Sequence, residues 1–344
     1  MLVLRALRKG KKMKKRLLCA LLAIIILASL CSCSQSQKQE ESDKIKILCT
    51  LFPQYDWLRN ITKGSDSVEL SLIIANGADP HSYQPTAADI MNISNCDIIV
   101  CLGGDSDTWV TKAIERSNNA SIKNVRLSKL EGMTLHNISS GSHSHEGHSH
   151  GEASHEGHAH SAFDEHLYLS LRNAITATYA LSEILCEKDP ENAELYTKNA
   201  SDYAEKLSAL DREFASSLEQ ADINEPFMLF ADRFPFVYLL SDYGIHYSAA
   251  FEGCSTDANA DFDTVIRLIH EAEHHNASYI AVTEASDKAL ANTVISSGAK
   301  KDREILTLDS MQSVTKNDIT KGKSYILTMA SNLETVKKAV GIKK

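Results

Sequence analysis

The sequence predicts an α/β protein of two lobes with parallel sheets, joined by one long helix. Three observations carry this. Short apolar runs alternate with amphipathic segments at the spacing of βαβ units. One stretch, 190–220, continues with almost no helix breaker. The strand–helix rhythm then resumes, and 344 residues leave room for two domains of ordinary size.

The first 33 residues stand apart from the fold. Arg5 to Arg16 carries eight basic residues and no acid, Leu17 to Leu30 is almost wholly apolar, and small residues and cysteines follow. That pattern is a secretory signal peptide, too short and wrongly flanked for an ordinary spanning helix. Met13 opens a more typical leader than Met1 does. A polar tether, residues 34–43, follows.

The first lobe is expected over residues 44–189. Ile45 to Thr50 is an apolar run that ends at Phe52-Pro53 and feeds a helix carrying Tyr55, Trp57 and Leu58. Val68, Leu70, Leu72 and Ile74 alternate as a strand that runs into the turn-rich Asn76-Gly77-Ala78-Asp79-Pro80-His81. Thr86 and Asp89 have the spacing of a capping box. Asp97 to Leu102 is a continuous apolar strand, followed by Gly103-Gly104 and a helix from Trp109 to Arg116. Ser170 is placed to cap a helix through Leu185.

The linking helix, 190–220, marks its apolar side with Leu195, Ala200, Tyr203, Leu207, Leu210 and Phe214. In the second lobe, 221–344, strands are expected at Phe227–Phe230, Tyr279–Val282 and Ile305–Leu308. Helices are expected at Asp261–His275, Ala285–Ser297 and Tyr325–Val340. Phe262, Val265, Ile266 and Ile269 form the apolar face of the first of these. Both lobes read as Rossmann-like, and ligands of such sheets sit beyond the carboxyl ends of the strands. With two lobes, that crevice is the cleft between them.

Gly141 to Tyr168 holds eight of the fourteen histidines. His143, His145, His148, His150, His155, His158 and His160 fall within eighteen residues, and SHEGHSH recurs as SHEGHAH. Glycine, serine and glutamate fill the gaps, so residues 141–162 cannot build a packed core. Imidazole is the commonest protein ligand for zinc and its neighbours, so the tract reads as a metal-capturing loop rather than a plain linker. Charge agrees. Without the leader's eight basic residues, 28 basic face 45 acidic side chains, a net charge of −17. Such a surface repels nucleic acid and concentrates cations. Five cysteines remain beyond Cys33 with no CxxC pair, which reads as buried thiols rather than a disulfide framework.

Outside the tract, His81, His166 and Asp309 each lie at a strand end or helix start. Three such positions from separate junctions are what a metal site closed by two lobes requires. Here the chain resembles the zinc and manganese solute-binding lipoproteins of ABC importers. GADPHSYQPTAADI is similar to that family's first-ligand motif, DEHLYLSL to the second, and Thr307-Leu308-Asp309-Ser310 to its carboxylate loop. Leu30-Cys31-Ser32-Cys33 resembles a lipobox with Cys33 as the lipidated residue. The resemblance covers about all of the mature chain. It implies metal ligation by His81, His166 and Asp309, an ABC permease and its ATPase as partners, and a monomer. It also implies lipid anchoring through Cys33 on the outer face of the bacterial cytoplasmic membrane.

The second motif departs from the family's usual residues at Glu165, Tyr168 and Ser170-Leu171, but one other departure matters more. Where the family has a third ligand, histidine or glutamate, this chain has Arg233, which has no lone pair to give a metal. Asp232 or Glu284 then supplies the missing ligand, or a water or the tract's imidazoles complete the shell. Otherwise Arg233 clamps a carboxylate, or is simply a hinge salt bridge. His270, His274 and His275 lie on a charged helix and read as a solvated face.

The function expected is capture of a divalent metal, zinc before manganese, for an ABC importer, with no enzymatic activity. The competing readings are a secreted zinc metallohydrolase and a surface metal store or adhesin (cell adhesion). Against the hydrolase, the sequence has no HExxH and no GxSxG.

Overall fold

The computed structural model describes residues 44–137, 163–220, 225–252 and 260–342. The leader with Cys33, the tether, the histidine tract, Cys254 and Asp257 lie outside the described residues. From Ile45 onward the chain forms one compact unit.

Its first half is β1 (Ile45–Cys49), α1 (Phe52–Ile61), β2 (Val68–Leu72), α2 (Ala87–Ser94), β3 (Ile98–Cys101), α3 (Thr108–Arg116) and β4 (Lys123–Arg126). The four strands pair in parallel in the order β2-β1-β3-β4. Apolar runs such as Ile98–Cys101, buried at every position, mark strands covered on both faces. The capping box at Thr86 forms: its hydroxyl accepts from Asp89 N, and Asp89 Oδ2 accepts from Thr86 N at 2.7 Å.

Helix α4 (Leu171–Lys188) begins at Ser170, whose side chain caps Asn173 N at 3.1 Å. A short 3-10 turn, Pro190–Asn192, then leads into α5 (Ala193–Gln220). At 28 residues α5 extends about 42 Å. Ala200, Tyr203, Leu207, Leu210 and Phe214 are buried along it as expected, but Tyr196 takes the place given to Leu195. Leu195 is only partly covered.

The second half comprises β5 (Phe227–Phe234), α6 (Val237–Ser241), β6 (His246–Glu252), α7 (Phe262–His274), β7 (Tyr279–Thr283), α8 (Ala289–Ser297), β8 (Glu304–Leu308), α9 (Lys316–Thr320) and α10 (Tyr325–Ala339). Its sheet is again parallel, in the order β6-β5-β7-β8. Strands β4 (KNVR) and β6 (HYSAAFE) carry no strong apolar signal, and the sequence reading names neither. Polar and apolar residues mix in both without a continuous apolar run. β5 runs four residues past the expected Phe230, through an irregularity between Phe230 and Arg233.

On α7 the expected apolar face is rotated. Leu268 and Ala272 are buried, whereas Phe262 is 78% and Ile266 48% exposed. Arg267 fixes that rotation by donating from Nη2 to Ala249 O at 2.9 Å and from Nη1 to Ser248 Oγ at 3.1 Å.

The largest apolar core is continuous. Ile47, Ile98 and Val100 of the first sheet belong to it, with Phe230, Ala281 and Leu308 of the second and Leu207 and Phe214 of α5 between them. Tyr325 of α10 reaches across to donate to Tyr168 O at 2.7 Å, and its ring meets Trp57 edge-on. Smaller clusters sit behind each sheet.

Candidate metal centre

His81 lies in a 3-10 turn, Pro80–Ser82, just beyond β2. Pro80 presets the backbone of that turn, and Asp79 caps it by accepting from His81 N at 2.9 Å. His166 comes from the other side of the same lobe, immediately before the 3-10 turn Leu167–Leu169. It is nearly fully buried and doubly held by Asp164, whose Oδ1 accepts from its backbone N at 2.9 Å and from its Nδ1 at 2.8 Å. That bond places the proton on Nδ1 and turns Nε2, the other ring nitrogen, toward the site.

The two imidazoles meet there, Nε2 to Nε2, at 3.3 Å. Two zinc–nitrogen bonds of about 2.0–2.1 Å at a tetrahedral angle would place their nitrogens about 3.3–3.4 Å apart. The pair therefore fits two corners of a zinc shell.

Asp164 is set by its surroundings. Burial alone would raise its pKa, but the His166 charge and its two N–H donors outweigh that and hold the carboxyl below its ordinary value. Asp79 behaves alike: burial opposes ionisation, while the His81 N–H and the Arg233 guanidinium overcome it and lower the pKa. The backbone carrying His166 is clamped further. Glu165 accepts from Ser106 N at 3.1 Å and from Ser106 Oγ, and Tyr238 Oη donates to Asp164 O at 2.7 Å. Gly104 makes room for this, since a Cβ there would lie 2.2 Å from Glu165 Oε1.

The second lobe contributes a residue that the sequence reading did not name. Gln312 Nε2 lies 2.7 Å from His166 Nε2 and 3.1 Å from His81 Nε2. It follows β8 through a loop in which Met311 adopts φ 59°, a left-handed conformation that a non-glycine side chain rarely takes. Which end of the amide faces the imidazoles is an assignment. A half-turn of the amide presents Oε1, a neutral donor, to the same point.

Asp309, expected here, is engaged elsewhere. Its Oδ1 accepts from Met311 N at 2.8 Å, its Oδ2 pairs with Lys323 Nζ, and its backbone is held by Asn332. It braces the loop that delivers Gln312, three residues away. Asp232 and Glu284 are likewise committed. Asp232 accepts from Arg233 N at 2.8 Å and from Thr283 N and Oγ1 at 3.0 and 2.7 Å, stitching β5 to the end of β7. Glu284 accepts from Ser310 N and Oγ and from Ser313 Oγ. Among the described residues, no group of three or more His, Cys, Asp or Glu side chains is arranged to hold a metal. In this arrangement the two histidines converge with the Gln312 amide beside them, while Asp309 pairs with Lys323.

Arg233 lies on β5 beyond its irregularity and donates from Nη1 to Asp79 Oδ2 at 2.6 Å. It thus reaches across the cleft to the turn that carries His81. On α7, the rings of His270 and His274 lie 6.1 Å apart, and His275 stacks on Phe227.

Comparison with known proteins adds to this geometry. Residues 47–339 match the family of the zinc-uptake complex component A, periplasmic. The chain is 33% identical over 320 residues to the zinc-binding lipoprotein AdcA of Streptococcus pneumoniae, covering 91% of this chain and 60% of that protein. It therefore spans about 60% of that relative's length. It is 30% identical over 304 residues to the high-affinity zinc uptake system protein ZnuA of Bacillus subtilis, covering 88% of this chain and 90% of the relative. The solved Zn(II)-bound ZnuA-like domain of Streptococcus pneumoniae AdcA superposes with a TM-score of 0.67 at 26% identity, over 86% of this chain and 99% of that domain. These are uptake components rather than enzymes, which sets the metallohydrolase aside. By sequence and by fold, this chain belongs to the family of the periplasmic component A of zinc-uptake complexes.

Proposed function

We propose that the protein captures zinc in the cleft and hands it to an ABC permease powered by its ATPase. The observation that carries this is the 3.3 Å separation of His81 and His166 Nε2, the spacing of two nitrogens on one tetrahedral zinc. His81, His166 and the amide oxygen of Gln312 are the protein donors in this reading, with Asp309 as the brace of the Gln312 loop. Two nitrogens and one neutral oxygen suit zinc better than manganese, which prefers a richer oxygen shell. The zinc-binding relatives support the same cargo.

The remaining parts follow the sequence. Residues 1–33 direct export, Cys33 carries the lipid, and 34–43 tether a monomer to the outer face of the membrane. The lobes 44–189 and 221–344 flank the helix 190–220. The histidines from His143 to His160 collect metal at low affinity.

The test is calorimetric titration of zinc and manganese into metal-free protein beginning at residue 34. We expect one tight zinc site that survives deletion of 143–160 and disappears in His81→Ala. Weak, multiple binding that vanishes with the tract would remove the cleft reading.

A further inference from the structure

The protein donors at the cleft are electrically unusual. Among the described residues, the two imidazoles and the amide bring no negative charge of their own, and the nearby carboxylates have other partners. Asp309 pairs with Lys323, Glu284 with two serines, Asp232 with Thr283, and Asp164 with His166 Nδ1. Asp79 is bound to Arg233 and to His81 N. A dication at the histidine pair would meet negative charge only behind its ligands, at Asp79 and Asp164, with the Arg233 guanidinium bound to the same turn as His81, an arrangement that an anion bridging metal and guanidinium would complete.

Arg233 is suited to supply that anion's other contact. Its planar fork has five N–H donors, and among the described residues its side chain makes one hydrogen bond, from Nη1 to Asp79. The side chain is 36% exposed, so a solute can reach it. Guanidinium forks match carboxylates in two-point geometry.

We infer that zinc is bound together with a small oxyanion, a carboxylate by preference, with one oxygen on the metal and the other on Arg233. This deepens the zinc-capture reading and rests on it. The arginine that replaces a ligand thereby selects a metal–anion pair instead of the bare cation.

The test measures zinc affinity at constant ionic strength in perchlorate, acetate and sulfate, counting only the binding that His81→Ala abolishes. In the unmodified chain, acetate should tighten zinc at least tenfold over perchlorate, and more than sulfate does. Arg233→Gln should lose that dependence, to under twofold. Arg233→His should bind zinc tightly in all three salts, because a third imidazole replaces the anion. Asp79→Asn, which frees the guanidinium and keeps an oxygen on the turn, should enlarge the acetate effect. Cobalt substitution gives an independent readout: its visible bands should shift with acetate in the unmodified chain and not in Arg233→Gln. Equal zinc affinity in all salts, or an undiminished acetate effect in Arg233→Gln, overturns the proposal while leaving zinc capture intact. A response to sulfate alone overturns the carboxylate assignment. Absence of any His81-dependent zinc binding in every salt would instead remove the reading beneath it.

Discussion

At the scale of single residues, the cleft is governed by which lone pairs are already spent. His81 and His166 turn their Nε2 atoms toward each other and toward Gln312, while Asp79 caps the turn of one and Asp164 holds Nδ1 of the other. The carboxylate behind His166 fixes the ring's direction, as partners behind metal-bound histidines do. Asp164→Asn should therefore weaken zinc binding about 10- to 100-fold with little change in fold. Calorimetry reads this directly, and an unchanged Kd would show that the Asp164 contact merely fills space. Asp309 illustrates the reverse case. Its carboxylate, in the loop where a ligand was expected, is held by Lys323 and by Met311 N. No sequence pattern distinguishes a carboxylate that is free from one that is engaged.

At the scale of elements, the loop between β3 and α3 supports the whole His166 segment. Asp107 accepts from Gly103 N at 3.1 Å and from Leu102 N, and it is buried beside Glu165. Burial pushes its pKa up to about 6, the Gly103 and Leu102 N–H groups oppose that, and the Glu165 charge adds to it. A carboxyl raised in the folded state favours the protonated form there. Its contribution to stability is thus fully present below about pH 4 and is lost as pH rises through about 6. Asp107→Asn should remove this loss. Relative to the unmodified chain, the variant should gain about 3 kcal/mol between pH 4 and pH 7, from two units at 1.36 kcal/mol each. Urea melts of both proteins across that range measure the difference, and a flat difference would mean that Asp107 does not titrate there. The strands show the same dependence on context. β1, β3 and β7 are legible from composition because both faces are covered. β4 and β6 are not, because KNVR and HYSAAFE hold no continuous apolar run.

For the whole molecule, the continuous core has a measurable consequence. Residues from both sheets and from α5 pack as one apolar body, so the described chain should unfold in a single calorimetric transition. Zinc at a thousandfold excess over Kd should add about 4 kcal/mol, raising Tm by roughly 6 °C. His81→Ala should abolish that rise. Two resolved transitions would mean that the lobes melt separately and that the shared core is a weak seam. A core that spans both sheets also holds the site's two halves in register. His81 and His166 come from one lobe, and Gln312 and Arg233 come from the other.

Composition and periodicity alone determined the α/β class, the long central helix, the acidic balance and the histidine tract. These follow from local rules, namely burial period, breakers and charge, which any window of the chain obeys. The two cleft histidines were also legible, because a histidine just past a strand end and another just before a helix start carry positional information. Tertiary structure alone decided which amide faces the two histidines. Gln312 lies more than 140 positions from His166 in the chain, and only the docking of β8's loop across the cleft brings its amide within 2.7 Å. It also set the partners of Asp309, Asp232 and Glu284, because those depend on the neighbours each carboxylate meets in space.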